Sequence, residues 1–424
     1  MRSAFLRTSC LAILFLACSL ATGQAQYNVI YSFGTNPSDG NVPNGGLLFD
    51  KAGNLYGTTQ DGGSGSKCQF CGTVFELSPT QGGGWTETVI YNFCSQPNCA
   101  DGEEPAAGLI SDSFGNLYGT TVAGGTNQVG TIFELSPPMV KGGSWTESVL
   151  WSFGTGIDDG GALPYSRLNW DASGNLYGTA SWGGVTGGGT VFALSPNGNG
   201  SWAATALYMF CPNDELLQHC PDGLHPMAGV SFDKFGNLYG TTFEGGFDDK
   251  WGVLYELSPP VSGDGWTEAT VYKFVGASGG EPLSAVNFDK TGNAYVTASS
   301  GASNSPGVCG GVFKFVPNPG GGGKKLSYLF FPTGTGCNPD AGVLLDDTTG
   351  TLYGTTYSGG ERTGGNIYSI AGRTATVLYS FCSESGCADG VYPTGSLTAN
   401  AGKLYSTTSQ GGTFNHGVVF ELRP

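Results

Sequence analysis

The chain reads as an all-β protein, a seven-bladed β-propeller with four antiparallel strands per blade, on three observations. The phrase Gly-Asn-Leu-Tyr-Gly-Thr, first met at Gly53, returns in recognisable form from Gly115, Gly174, Gly236, Gly292, Gly350 and Gly402, at spacings of 62, 59, 62, 56, 58 and 52 residues. A repeat of that length is one supersecondary unit stacked on copies of itself. Helical periodicity is absent from the unit, and its glycines stand at fixed places between short apolar runs, where they serve as turn residues. The chain ends are complementary: residues 29–33 match only the fourth strand of a unit, and residues 418–422 only the third. The first segment therefore completes the last blade, which closes the ring and hides its open edge.

The elements follow in order. Arg2 and Arg7 precede an apolar run at 11–20 that is too short to span a bilayer, and Gly23-Gln24-Ala25 offers a small-x-small cleavage site. Residues 1–25 are thus expected to be a signal peptide and 26–424 the propeller. Lipid attachment at Cys18 is the lesser alternative, because Phe15 stands where Leu is usual. In the first unit, Gly46-Leu47-Leu48-Phe49-Asp50 is a strand, and Asp-x-x-Gly-Asn a hairpin in which Asp opens the turn and Gly takes positive φ. The second strand runs from Asn54, and a loop with Gly62-Gly63 follows it. The third strand runs from Gly72 until Pro79 stops it, and the fourth starts at Trp85. If the N-terminal segment closes the last blade from outside, the Gly-Leu-Leu-Phe-Asp strand is innermost. Gly57, Gly119, Gly178, Gly240 and Gly354 interrupt the second strand, which predicts close backbone approach from a neighbour; Val296 and Ser406 break the pattern.

Composition narrows the partners. A formal net charge of −16 excludes a basic stripe for nucleic acid. No membrane span is expected in the mature chain, and a monomer is. Cysteine usage points to an oxidising, extracellular destination. Cys94 with Cys99, Cys211 with Cys220, and Cys382 with Cys387 bracket the same loop in three repeats and read as local disulfides. Cys309 is the one unmatched candidate for Cys337. Cys68 and Cys71 form a C-x-x-C pair with no second ligand pair for zinc, so a disulfide there or with the neighbouring loop is expected.

The phrases Gly-Asn-Leu-Tyr-Gly-Thr-Thr, Gly-Gly and Gly-Thr-Val-Phe-Glu-Leu-Ser-Pro, taken together over the mature chain, resemble the GloVer tandem repeat of extracellular bacterial proteins, the choice-of-anchor group. Such proteins often carry an anchoring segment after the repeats. Here the chain stops at Pro424 with no apolar or basic tail, so free secretion is the expectation. The resemblance implies no established reaction and transfers no catalytic residue.

Two loop types, between strands two and three and between blades, emerge on one face. An aspartate recurs in the inter-blade loop at Asp39, Asp101, Asp159, Asp222, Asp340 and Asp389. Such a rim either holds Ca²⁺, which takes several oxygen ligands, or forms Asx turns before glycine; the turn is the first reading, and no cofactor is expected otherwise. Residues that do not repeat are better candidates for a site. Glu103, Glu104, Trp182, His225, Trp251 and Tyr392 lead, with Asp248, Asp249, Glu361, Arg362 and His416 on the same face. Aromatic rings beside carboxylates suit a sugar or protein surface, although loops of differing length would also produce such a set. Glu103 or Glu104 with Glu281 could form a glycosidase pair, but no nucleophile elbow or metal spacing marks catalysis. The first functional reading is a secreted, non-enzymatic recognition or scaffold module for extracellular carbohydrate or protein. The alternatives are a glycan hydrolase or lyase, or a structural envelope component.

Overall fold

The computed structural model describes residues 25–424 apart from 37, 65–69, 141, 155–159, 215, 262–264, 277–278, 302–307, 317–323 and 333–335. The expected leader lies outside the described residues up to residue 24. Seven antiparallel sheets surround one axis, and the described residues contain only short 3-10 turns as helix. In the first blade, Leu48–Phe49, Leu55–Thr59, Thr73–Pro79 and Trp85–Asn92 pair in that spatial order. In the last, Thr398–Asn400, Lys403–Gln410 and Val418–Arg423 are completed by Gln26–Ser32. Val29 pairs with Phe420 and Gln26 with Arg423, so the ring closes as the complementary ends require.

Burial explains the strand sequences. In the first five blades the second strand is wholly buried, because it lies sandwiched between neighbouring blades; the fourth strand is half exposed, as in Trp85–Asn92. The glycine inside the second strand meets an aromatic ring rather than a backbone, which corrects the sequence reading. A Cβ on Gly119 would come within 2.6 Å of the Phe133 ring on the paired third strand. Tyr255 and Tyr368 cover Gly240 and Gly354 in the same way. In the fifth blade, where Val296 replaces glycine, the Phe313 ring lies over Gly279 instead.

The blades are joined by two repeated contacts. In five blades the first threonine of the second strand crosses the junction: Thr58 Oγ1 donates to Ala107 O at 2.9 Å, Thr120 to Ser166 O at 3.1 Å and Thr179 to Ala228 O at 2.9 Å, and Thr241 and Thr297 do likewise. An aromatic from the end of one fourth strand also packs on the third strand of the next blade, as in Phe33–Phe75, Phe93–Phe133, Phe153–Phe192 and Phe381–Phe420, with ring centroids 4.9–5.3 Å apart.

The cysteine pairs Cys94–Cys99, Cys211–Cys220, Cys309–Cys337 and Cys382–Cys387 are bonded as expected. Cys71 is also in a disulfide; Cys68 lies outside the described residues. No helix among the described residues is long and apolar enough to cross a membrane.

Candidate functional site

The inter-blade loops carry a feature more regular than their sequences. Val42, Glu104, Leu163, His225, Glu281, Asn338 and Tyr392 occupy one equivalent position, each directly before a proline. All seven have left-handed backbones, with φ between 54° and 60°. That conformation costs a non-glycine residue about 1 kcal/mol or more, so something must hold it. Two hydrogen bonds do. The Glu104 amide donates to Cys71 O of the preceding blade, and its carbonyl accepts from Val122 N of its own; His225 does the same with Gly188 O and Phe243 N. The following proline packs against the glycine that opens the preceding blade's third strand, which is why that glycine recurs: a Cβ on Gly130 would lie 2.6 Å from Pro164 Cδ. The backbone is constant around the ring, and the side chain is free to vary.

The position two residues further on lines a cavity of about 370 Å³ on the propeller axis, so the left-handed ring forms the rim of the axial channel. Rim side chains meet the loop of the preceding blade. Trp182 and His225 stack at 5.3 Å between centroids and 13° between planes, with Trp182 45% exposed. His225 Nδ1 lies 3.2 Å from Glu244 Oε2. Tyr357 and Tyr392 stack at 4.8 Å and 15°. Gln60 Nε2 donates to Glu104 Oε2 at 3.4 Å. Burial, then the Glu104 charge, pushes the carboxyls of Glu103 and Asp61 above their usual range.

Of the sequence candidates, Trp182 and His225 come together, and Glu104, His225, Glu281 and Tyr392 share the rim. Glu103 pairs with Ala123 through the backbone just before it. Glu104 and Glu281 are three positions apart on a ring of seven rather than neighbours. Trp251 is partly buried against the apolar cluster of the fifth blade, beside Gly276 and Gly280. Asp248, Glu361 and Arg362 are exposed on the second-to-third strand loops.

The aspartate rim needs correction. Asp39, Asp101 and Asp389 are buried, and Asp222 partly so. Each accepts from a tyrosine hydroxyl of the preceding strand and from a loop amide, as Asp101 Oδ2 does from Tyr91 at 2.9 Å and Ser95 N at 2.9 Å. They tie the loop to the sheet. Asp159 lies outside the described residues. Asp340 does not belong to the set, because it follows its proline instead of preceding it and lines the channel. Its Oδ1 is sealed from solvent without a partner, and burial followed by the Glu281 charge pushes its carboxyl up to about 7.

One channel residue was missed in the sequence. Four positions after the rim residue the blades carry Gly46, Gly108, Arg167, Gly229, Ala285, Gly342 and Ser396, six small side chains and one arginine. Arg167 Nε donates to Leu109 O of the preceding blade at 3.2 Å. The non-repeating criterion, applied to the inner strand as it was to the loops, finds it.

The fold is similar to that of PorZ, a bacterial surface component of the type-IX secretion system of Porphyromonas gingivalis, at 14% identity and a TM-score of 0.53 over 90% of this chain; the chain spans 46% of that protein's length. It is also similar to the polysaccharide lyase Uly1, at 10% identity and a TM-score of 0.50 over 93% of each chain. At these identities the likeness is one of fold. No curated protein matches in sequence. The Gloeobacter/Verrucomicrobia repeat matches residues 16–219, 69–307 and 216–420.

Proposed function

From the premise that this chain belongs to the Gloeobacter/Verrucomicrobia repeat family, we propose that it is an extracellular, non-enzymatic recognition module that binds carbohydrate at the rim of the axial channel. The observation that carries the reading is the ring of seven constant backbone positions carrying six different kinds of side chain, two of them in partly exposed aromatic stacks. A rigid frame with variable contacts is what selective binding requires, since little ordering entropy is lost on association. Stacked rings supply flat apolar faces for sugar carbons, and Glu244, beside His225, can accept hydrogen bonds from sugar hydroxyls. The disulfides support an oxidising location.

A second reading, a glycan hydrolase or lyase, is favoured by one observation. Burial, then the charge of Glu281, pushes the Asp340 carboxyl up to about 7, and a carboxyl with raised pKa in a cavity is a candidate general acid. The two readings separate in one experiment. A glycan array with the mature chain identifies a binder, and Trp182→Ala and Tyr392→Ala should each weaken it at least about tenfold, the scale of losing a stacked anchor. Incubation with the same glycan should release no new reducing ends and no unsaturated products. Product formation abolished by Asp340→Asn would establish the enzyme instead, and full binding by both aromatic variants would sink the rim assignment.

A further inference from the structure

Arg167 lies where the ring leaves no room for chance. At its level on the channel wall the other six blades present Gly46, Gly108, Gly229, Ala285, Gly342 and Ser396, whose backbones pack closely around the axis; a Cβ on Gly108 would lie 2.8 Å from Gly46 O. Its Nε is committed to the Leu109 carbonyl, which fixes the plane of the guanidinium and leaves the two terminal nitrogens with their donors. Among the described residues no carboxylate stands within ion-pair distance of it. Arg167 is exposed to the channel, while desolvation by the surrounding protein lowers its pKa, as expected of a cation without an ion-pair partner.

We propose that the axial channel is a binding site for a single carboxylate carried on a sugar, a hexuronate, with Arg167 as its bidentate partner. The geometry favours that ligand over other anions. A fixed, planar fork with two free nitrogens matches a carboxylate edge to edge. One cation balances a monoanion, and no lysine or second arginine lines the cavity to balance a phosphate dianion. The rest of the wall suits hydroxyls: Asn44, Tyr165, Asp340 and Thr394 stand two residues past the rim and carry polar side chains. A volume of about 370 Å³ falls within the range of small-ligand cavities. The acidic rim, with Glu104 and Glu281, and the net charge of −16 oppose a polyanionic chain. They leave access to a lone charged unit, so the site selects a free uronate or a single uronate end over a polyuronate.

This site is separate from the rim stacks, and its test uses different ligands. Calorimetric titration of the mature chain with galacturonate and glucuronate, against galactose and glucose as uncharged matches, reads the contribution of the carboxylate. The acids should bind at least about tenfold more tightly than their neutral counterparts, which is the scale of one charge-assisted bidentate pair. Arg167→Gly recreates what four other blades carry, and should retain the circular-dichroism spectrum and melting temperature while erasing that difference. Arg167→Lys, which keeps the charge but loses the fork, should recover only part of it. Equal binding of acid and neutral sugar, or discrimination that survives Arg167→Gly, would overturn the proposal, as would inorganic phosphate displacing a bound uronate at lower concentration than acetate does. A neutral oligosaccharide with one uronate end binding while a polyuronate does not would support the single-charge selection; equal binding of the two would remove it.

Discussion

The Gly-Thr-Thr phrase shows how much one residue decides. The repeat was plain in the sequence, but not the division of labour within it: the first threonine latches the next blade, while the second bonds inside its own, as Thr121 Oγ1 does with Thr131 Oγ1 at 2.8 Å. Periodicity locates a residue on a strand without telling which neighbour its hydroxyl reaches. Two of the latch positions end differently, since the buried hydroxyls of Thr355 and Thr407 have no partner. Thr120→Val should therefore leave the Ser166 carbonyl unsatisfied and cost about 1–2 kcal/mol in denaturant unfolding. Thr355→Val, the same exchange where no bond exists, should be neutral or stabilising. Equal losses would mean that the junction bond contributes nothing. The candidate site was legible to a similar degree. Glu104, His225, Glu281 and Tyr392 stood out as residues that fail to repeat, but their shared left-handed backbone did not, because only glycine advertises positive φ in a sequence. Arg167 escaped because its neighbours read as ordinary strand.

At the scale of the element, the fourth strand departs most from simple alternation. The third and fourth strands slip register at Val74/Phe75, Ile132/Phe133, Val191/Phe192, Leu254/Tyr255 and Ile367/Tyr368, so one residue bulges at the same place in five blades. The consecutive apolar residues Val89-Ile90-Tyr91 are the trace of it in sequence. The same strand carries a half-buried acid near its start. Burial, then the neighbouring Asp39 or Asp101, pushes Glu87 and Glu147 up to about 7, and burial pushes Glu268 up to about 7 against the hydrogen bond from Thr270. Glu87 and Glu147 each leave Oε1 unpartnered. A carboxyl whose pKa is raised in the folded state binds its proton more tightly there than in the unfolded chain. Its stabilisation is complete below the ordinary glutamate pKa of about 4.5 and is lost as pH rises through about 7. The melting temperature should therefore fall between about pH 5 and pH 8. The triple variant Glu87→Gln, Glu147→Gln, Glu268→Gln should flatten that slope. A melting temperature that rises over the same window would contradict the assignment.

The whole molecule was the most legible scale. Seven phrases and two complementary ends specified the ring, and the alignment of cysteines within the unit specified its loop disulfides, because repetition supplies several independent views of one structure. What lay beyond reach was the channel, whose wall draws one short segment from every blade and exists only once the ring is closed. Closure itself can be tested at Tyr27, which stacks on Tyr379 of the sixth blade at 3.8 Å and donates its hydroxyl to Asp389 O. Tyr27→Ala removes a ring packed between two blades and should cost about 2–3 kcal/mol, with limited proteolysis entering first at residues 26–32. Unchanged stability would show that the seventh sheet holds without its first strand.

That seventh sheet also sets an order of events during biosynthesis. One of its strands leaves the ribosome before any other strand described, and its partner Val418–Arg423 after all the others. Six sheets could assemble on the nascent polypeptide while residues 26–32 wait without a mate, an unpaired edge held open until residues 418–423 are made. The closing contact, spanning nearly the full described length, should be the slow step of refolding.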